Sequence, residues 1–130
     1  MPVFVHIEEI FIMVNEKRAK EIIEKYGFDF DKIPKDEIRK LIEKEIADYV
    51  YGSSEYIRLL CGYLYCIGDK SDIPLLKRAK YDINMDVGCM IDIDWINSLE
   101  NNGLEGEFIP EKKELVSEFV KYYTGFYKNY

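Results

Sequence analysis

The sequence predicts an all-α fold, a single-domain helical array, and three observations carry that expectation. Apolar residues recur at helical spacing through most of the 130 residues. Helix punctuation brackets these stretches, with Pro34, Pro74 and Pro110 where helices open and Gly27, Gly52 and Gly68 where they close. Between Ser53 and Asn102, two helical segments lie one repeat apart: Glu55-Tyr56-Ile57-Arg58 and Met85-Asp86-Val87-Gly88 hold equivalent positions 30 residues apart. A period of that length is typical of stacked helix pairs.

Taken in order, Val3, Ile7, Ile10, Phe11 and Val14 fall at helical spacing, and Pro2 suits a first helical turn. Val3, Val5 and Ile7 also alternate as a strand would, and between the two the helix is favoured. Asn15 is the expected cap of a helix from Glu16 to Tyr26, which Gly27 stops. Phe28 to Lys32 reads as a loop with Asp29 and Asp31 solvated. Pro34 opens the next helix, with Asp36 and Glu37 at the positive end of its dipole. Ile38, Leu41, Ile42, Ile46, Tyr49 and Val50 form its apolar face, and Arg39, Lys40, Glu43 and Lys44 fill the other. Gly52 ends it, and Ser53 or Ser54 is placed to cap the helix that follows.

That helix, Ser54 to Ile67, carries only Glu55 and Arg58 as charges. A helix apolar nearly all round is buried on most sides, so this is the predicted centre of the fold. Gly62 within it leaves room for a close neighbour. Asp72 is the expected cap of the following helix, and Pro74 sits in the first turn, where a missing N–H costs nothing. Leu75, Leu76 and Ala79 pack inward, while Lys77, Arg78 and Lys80 put positive charge near its end.

The stretch from Asp86 to Asn101 admits two readings. As one helix it makes a broad apolar arc of Cys89, Ile91, Ile93, Trp95, Ile96 and Leu99, with Asp92 inside the arc. A buried carboxylate needs a partner. Alternatively, Asp92 or Asp94 caps a new helix beginning at Trp95, and the anomaly disappears. Asn102-Gly103 and Gly106 then mark a loop carrying Leu104, Glu105, Glu107 and Phe108. Pro110 and Glu111 start a last helix whose apolar face is Leu115, Val116, Phe119, Val120, Tyr122, Tyr123, Phe126 and Tyr127, so it docks on the body.

Composition narrows function. Hydrophobic content of 48% and aromatic content of 15% supply a sizeable core. The net charge of −7 is uneven. Residues 1–80 hold 15 acidic and 14 basic side chains, whereas residues 81–130 hold 10 and 4. From Tyr81 to Glu111 there are eight acids and no Lys or Arg. A field of one sign repels nucleic acid and anionic lipid and attracts basic surfaces. The most apolar run, Tyr56 to Ile67, contains Arg58 and is too short for a bilayer. The start at Met1-Pro2-Val3 lacks the basic beginning of a secretory signal, which makes the cytoplasm the expected location. Cys61, Cys66 and Cys89 lie in mostly apolar surroundings and read as buried free thiols.

Chemistry finds little purchase. His6 is the sole histidine. The three cysteines show no close ligand spacing for zinc. Asp82, Asp86, Asp92 and Asp94 offer oxygen ligands for a hard cation, but without the glycine turn or ordered spacing of a known loop. No Gly-rich phosphate loop or nucleophile elbow occurs. The expectation is therefore no catalytic residue, no metal and no cofactor, which leaves recognition. Asp82, Asp86, Asp92, Asp94, Trp95, Glu100, Glu105, Glu107 and Phe108 form the candidate partner-binding set: aromatic anchors among polar groups that suit a basic protein.

The order of helix, Gly68-Asp69, Asp72-Ile73-Pro74-Leu75-Leu76 helix, short loop and Asp86-Val87 helix resembles HEAT-like helical repeats. The resemblance implies a repeat core over about residues 35–102, with a docking helix at about 111–127. HEAT-like stacks tie adjacent loops with Asp–Arg pairs, which makes Arg78 the implied partner of Asp92 if that carboxylate is buried. The whole chain, small, acidic and rich in Tyr and Ile, is similar to bacterial immunity proteins of polymorphic-toxin and contact-dependent-inhibition systems. That likeness implies an acidic face covering the basic active site of one cognate toxin. A HEAT-like adaptor without a toxin partner is the alternative.

Overall fold

The computed structural model describes residues 15–128, with side chains as far as Gly125. The expectations for residues 2–14, His6 among them, and for the side chains of Phe126 and Tyr127 lie outside those described. The fold is all-α, as the sequence predicts. Among the described residues the sole strand-like pairing is an isolated bridge between Gly106 and Ile109.

Helix α1 is described over residues 15–26 and ends at Gly27, whose φ of 60° and N–H bond to the Ile23 carbonyl (2.7 Å) form a left-handed stop. Asn15 is not a cap, because it is already helical. Its buried side chain instead donates to the Tyr51 carbonyl (3.2 Å) and accepts from Arg18 (2.8 Å). The expected loop after Gly27 contains a 3-10 turn at Phe30–Lys32, and Phe28 and Phe30 turn inward onto Tyr63 and Phe119. Helix α2, Lys35–Ala47, buries Ile38 and Ile42. It stops before Tyr49 and Val50, since Asp48, Tyr49, Val50 and Tyr51 are all poor helix formers. Gly52, at φ 84°, belongs to the turn beyond.

Helix α3, Ser54–Ile67, is the centre, with a continuous buried run from Leu59 to Tyr65. Ser53 holds its N-cap position, but the hydroxyl is used elsewhere, donating to the Val50 carbonyl and facing Glu45. Gly62 takes the close neighbour its size predicts: a Cβ there would overlap the Phe119 ring of the last helix. A 3-10 turn at Lys70–Asp72 leads into α4, Ile73–Tyr81.

The two readings of residues 86–101 are resolved by a break. Helix α5 runs Met85–Met90 and α6 runs Ile93–Glu100, with Ile91 and Asp92 extended between them. Asn84 caps α5 by accepting the Val87 N–H (2.9 Å), and Asp92 caps α6 by accepting that of Asp94 (2.9 Å). A single helix would place the Asp92 carboxylate among apolar groups; the break gives it a backbone donor instead. The implied Asp92–Arg78 pair is absent. Arg78 meets Glu43 (2.9 Å), and the Asp–Arg tie that does form is Arg39 to the buried Asp72 (2.7 Å). Helix α7, Lys112–Lys128, docks through Leu115, Phe119 and Tyr123. Phe119 is the hub, 5.6 Å from Tyr63, 5.0 Å from Tyr123 and 6.1 Å from Trp95 between ring centres.

Candidate acidic interface

Six of the eight acids of residues 81–111 lie in three places set by helix ends. At the first, Asp82 ends α4 and Asp86 lies in the first turn of α5, both exposed. Close by, Tyr81 and Met85 (85% exposed) stand out into solvent and, with Lys80, Asn84, Gly88 and Cys89, line a shallow groove of 480 Å³. Tyr81 and Met85 escape periodicity arguments because they stand at the last position of α4 and the first of the six-residue α5. Cys89 is exposed, against the expectation of a buried thiol, since the six-residue α5 buries only Val87. Cys61 and Cys66 are sheltered, and burial pushes both thiols up to about 12.

At the second place, Asp92 and Asp94 share the start of α6, both partly covered. Burial, and then the neighbouring Asp92, raise the Asp94 carboxyl above its ordinary value. Trp95, the next residue, is 3% exposed: it stacks on Tyr65 (6.1 Å, 12° between rings) and belongs to the core. As a surface anchor it is corrected. The side chain holds α6 against α3 and offers no area to a partner. Behind it the Tyr65 hydroxyl pairs with Ser98 (2.7 Å), and burial lifts that phenol to about 12.

The third place is a hairpin built on the end of α6. Asn102 (φ 58°) and Gly103 (φ 77°) reverse the chain, with the Gly103 N–H bonded to the Ser98 carbonyl (2.7 Å). Asn101 donates to the Leu104 carbonyl (2.8 Å), and the Lys112 N–H to that of Gly103 (3.1 Å). Gly106 and Ile109 exchange both backbone hydrogen bonds at 3.0 Å, leaving Glu107 and Phe108 at the tip. Phe108 sits at φ 63° and is 91% exposed, beside exposed Glu105, Glu107 and Leu104. Left-handed backbone costs a bulky residue about 1–3 kcal/mol, and such strain concentrates where a side chain is put to use. Nothing in the sequence marks this φ, because the hydrogen bonds that close the turn impose it.

Glu100 lies apart from these groups and is engaged by Lys77 (3.2 Å). The stretch free of Lys and Arg in sequence is therefore not free of them in space. Lys80 donates to the Gly88 and Ile91 carbonyls (2.6 Å each) at the end of α5. The Lys112 ammonium lies over the Tyr65 ring (5.2 Å), and burial lowers its pKa. Among the described residues no three His, Cys, Asp or Glu side chains converge on a metal position, so Asp82, Asp86, Asp92 and Asp94 do not surround one point. No described helix is long and apolar enough to cross a membrane. Comparison with protein-family models, curated proteins and solved structures finds no match for this chain.

Proposed function

We propose that this protein is an immunity protein that binds a basic toxin domain and neutralises it by covering the active-site surface. The observation that carries the reading is the 102–109 hairpin. A tip closed by paired backbone bonds presents Phe108 on strained backbone, with Glu105 and Glu107 beside it. A pre-ordered aromatic flanked by carboxylates suits an apolar hollow rimmed by Lys and Arg, as an enzyme acting on an anionic substrate would present. Phe108 supplies the desolvated anchor, the two glutamates set orientation, and Asp82 and Asp86 extend the attraction that speeds encounter. Asp92 and Asp94 add to the negative charge, and Glu100 adds little because Lys77 already neutralises it.

In this reading the chain performs no catalysis, needs no cofactor and works in the cytoplasm. Its scaffold is HEAT-like, with α3 and α5 starting near the predicted repeat interval and packed against each other. The test is to isolate the partner with tagged protein and assay its activity against rising amounts of this chain. Stoichiometric inhibition that Glu105→Lys with Glu107→Lys abolishes supports the reading. A partner that is acidic, or whose activity survives saturation, rejects it.

A further inference from the structure

Helices α1 and α2 pack against each other, with Tyr26 bonded to Glu37 (2.6 Å) near one end and Arg18 paired with Glu45 near the other. Between them runs a groove of 350 Å³ with an apolar floor of Ile22, Tyr26 and Leu41. Its rim carries Lys25, Lys40 and Lys44, none of which has an ion-pair partner among the described residues. The rim's one acid, Glu37, accepts from the Tyr26 hydroxyl, and the Lys25 ammonium lies 5.1 Å from the centre of the Tyr26 ring, so the rim carries three positive charges against one negative. Three unpaired ammonium groups around an apolar floor call for a ligand that brings carboxylates and an apolar side chain together. The chain carries such a segment itself: Leu104-Glu105-Gly106-Glu107-Phe108, whose two glutamates are equally unpaired and whose Phe108 ring is free.

We infer that the α1–α2 groove receives the 104–108 hairpin of a second copy of this chain. Phe108 seats on Ile22, Tyr26 and Leu41, and Glu105 and Glu107 meet the three lysines. The two surfaces are different patches of one molecule, so the contact is head-to-tail and leaves a free groove and a free tip at the ends. The inference does not depend on what the toxin-directed reading assigns, although a partner that takes the hairpin would break the chain of copies apart.

Sedimentation of the full chain over rising concentration tests it, with two variants at exposed positions that leave the core intact. Phe108→Gly keeps the groove and loses the anchor. Lys40→Glu with Lys44→Glu keeps the anchor and reverses the rim. The wild type is expected to self-associate, and each variant to weaken association by at least about tenfold. Mixing the two variants should restore a complex that stops at one of each, since only one productive tip and one productive groove remain. A wild type that stays monomeric to about millimolar concentration, association that survives either variant, or variants that fail to pair overturns the inference.

Discussion

Tyr63 and Phe108 are aromatic residues handled in opposite ways. Tyr63, in the middle of α3, is wholly buried, ringed by Tyr26, Phe28, Phe30 and Phe119, and its hydroxyl donates to the Gly27 carbonyl (2.8 Å). Phe108 touches solvent over nearly all of its surface and stands on backbone that a phenylalanine resists. The first arrangement gains apolar burial and strains nothing; the second costs strain and buries nothing in the free molecule. The fold alone explains the first; the second is what the proposed contacts at the hairpin would use. The contrast separates what stabilises this protein from what it offers.

Breaking the buried side should have the largest effect. Phe119 fills the space left by Gly62 and joins the rings of α3, α6 and α7. Phe119→Ala should cost about 3–5 kcal/mol, the range for truncating a fully packed aromatic, read from urea or thermal unfolding. A loss below about 1 kcal/mol would mean that the cluster is not the core of the fold. Phe108→Gly sharpens the comparison from the other side. Relief of the left-handed strain should raise stability by up to about 1 kcal/mol, because glycine adopts φ 63° freely. The same variant should lose binding, and a variant both less stable and still bound would reverse the argument.

The two regions were also unequally legible. Helix α3 and the role of Gly62 could be read from residue types, because burial of a helix follows from which residues recur every three or four positions. The capping choice at Asp92 was legible only as one of two options, since both satisfy the same carboxylate. The Arg39–Asp72 tie joins elements 33 residues apart, and local pattern says nothing about such partners. Trp95 admits both roles in the sequence, on the apolar arc with Ile96 and Leu99 and beside the acid Asp94, and only its packing on Tyr65 decides for the core. The strain at Phe108 left no trace, being set by the hydrogen bonds between Gly106 and Ile109.

The acids themselves supply the smallest and finest test. Asp94 differs from Glu105 and Glu107 in being partly covered, and its carboxyl titrates above its ordinary value because burial and Asp92 both oppose its charge. The sign follows from linkage: a carboxyl that holds its proton more tightly when folded favours the fold below the unfolded pKa. That contribution is lost as pH rises from the unfolded value of 3.8 through the raised folded one. Asp94→Asn should therefore match the wild type in strong acid and gain a little stability near neutrality, with the difference growing over the window just above pH 3.8. Much of the group meets water, so solvent screening keeps the gain to a few tenths of a kcal/mol. Urea unfolding of both proteins across that window measures it. A variant that loses stability near neutrality would show that the Asp94 charge favours the fold through the positive end of the α6 dipole. That outcome would make the residue part of the scaffold and remove it from the surface offered to a partner.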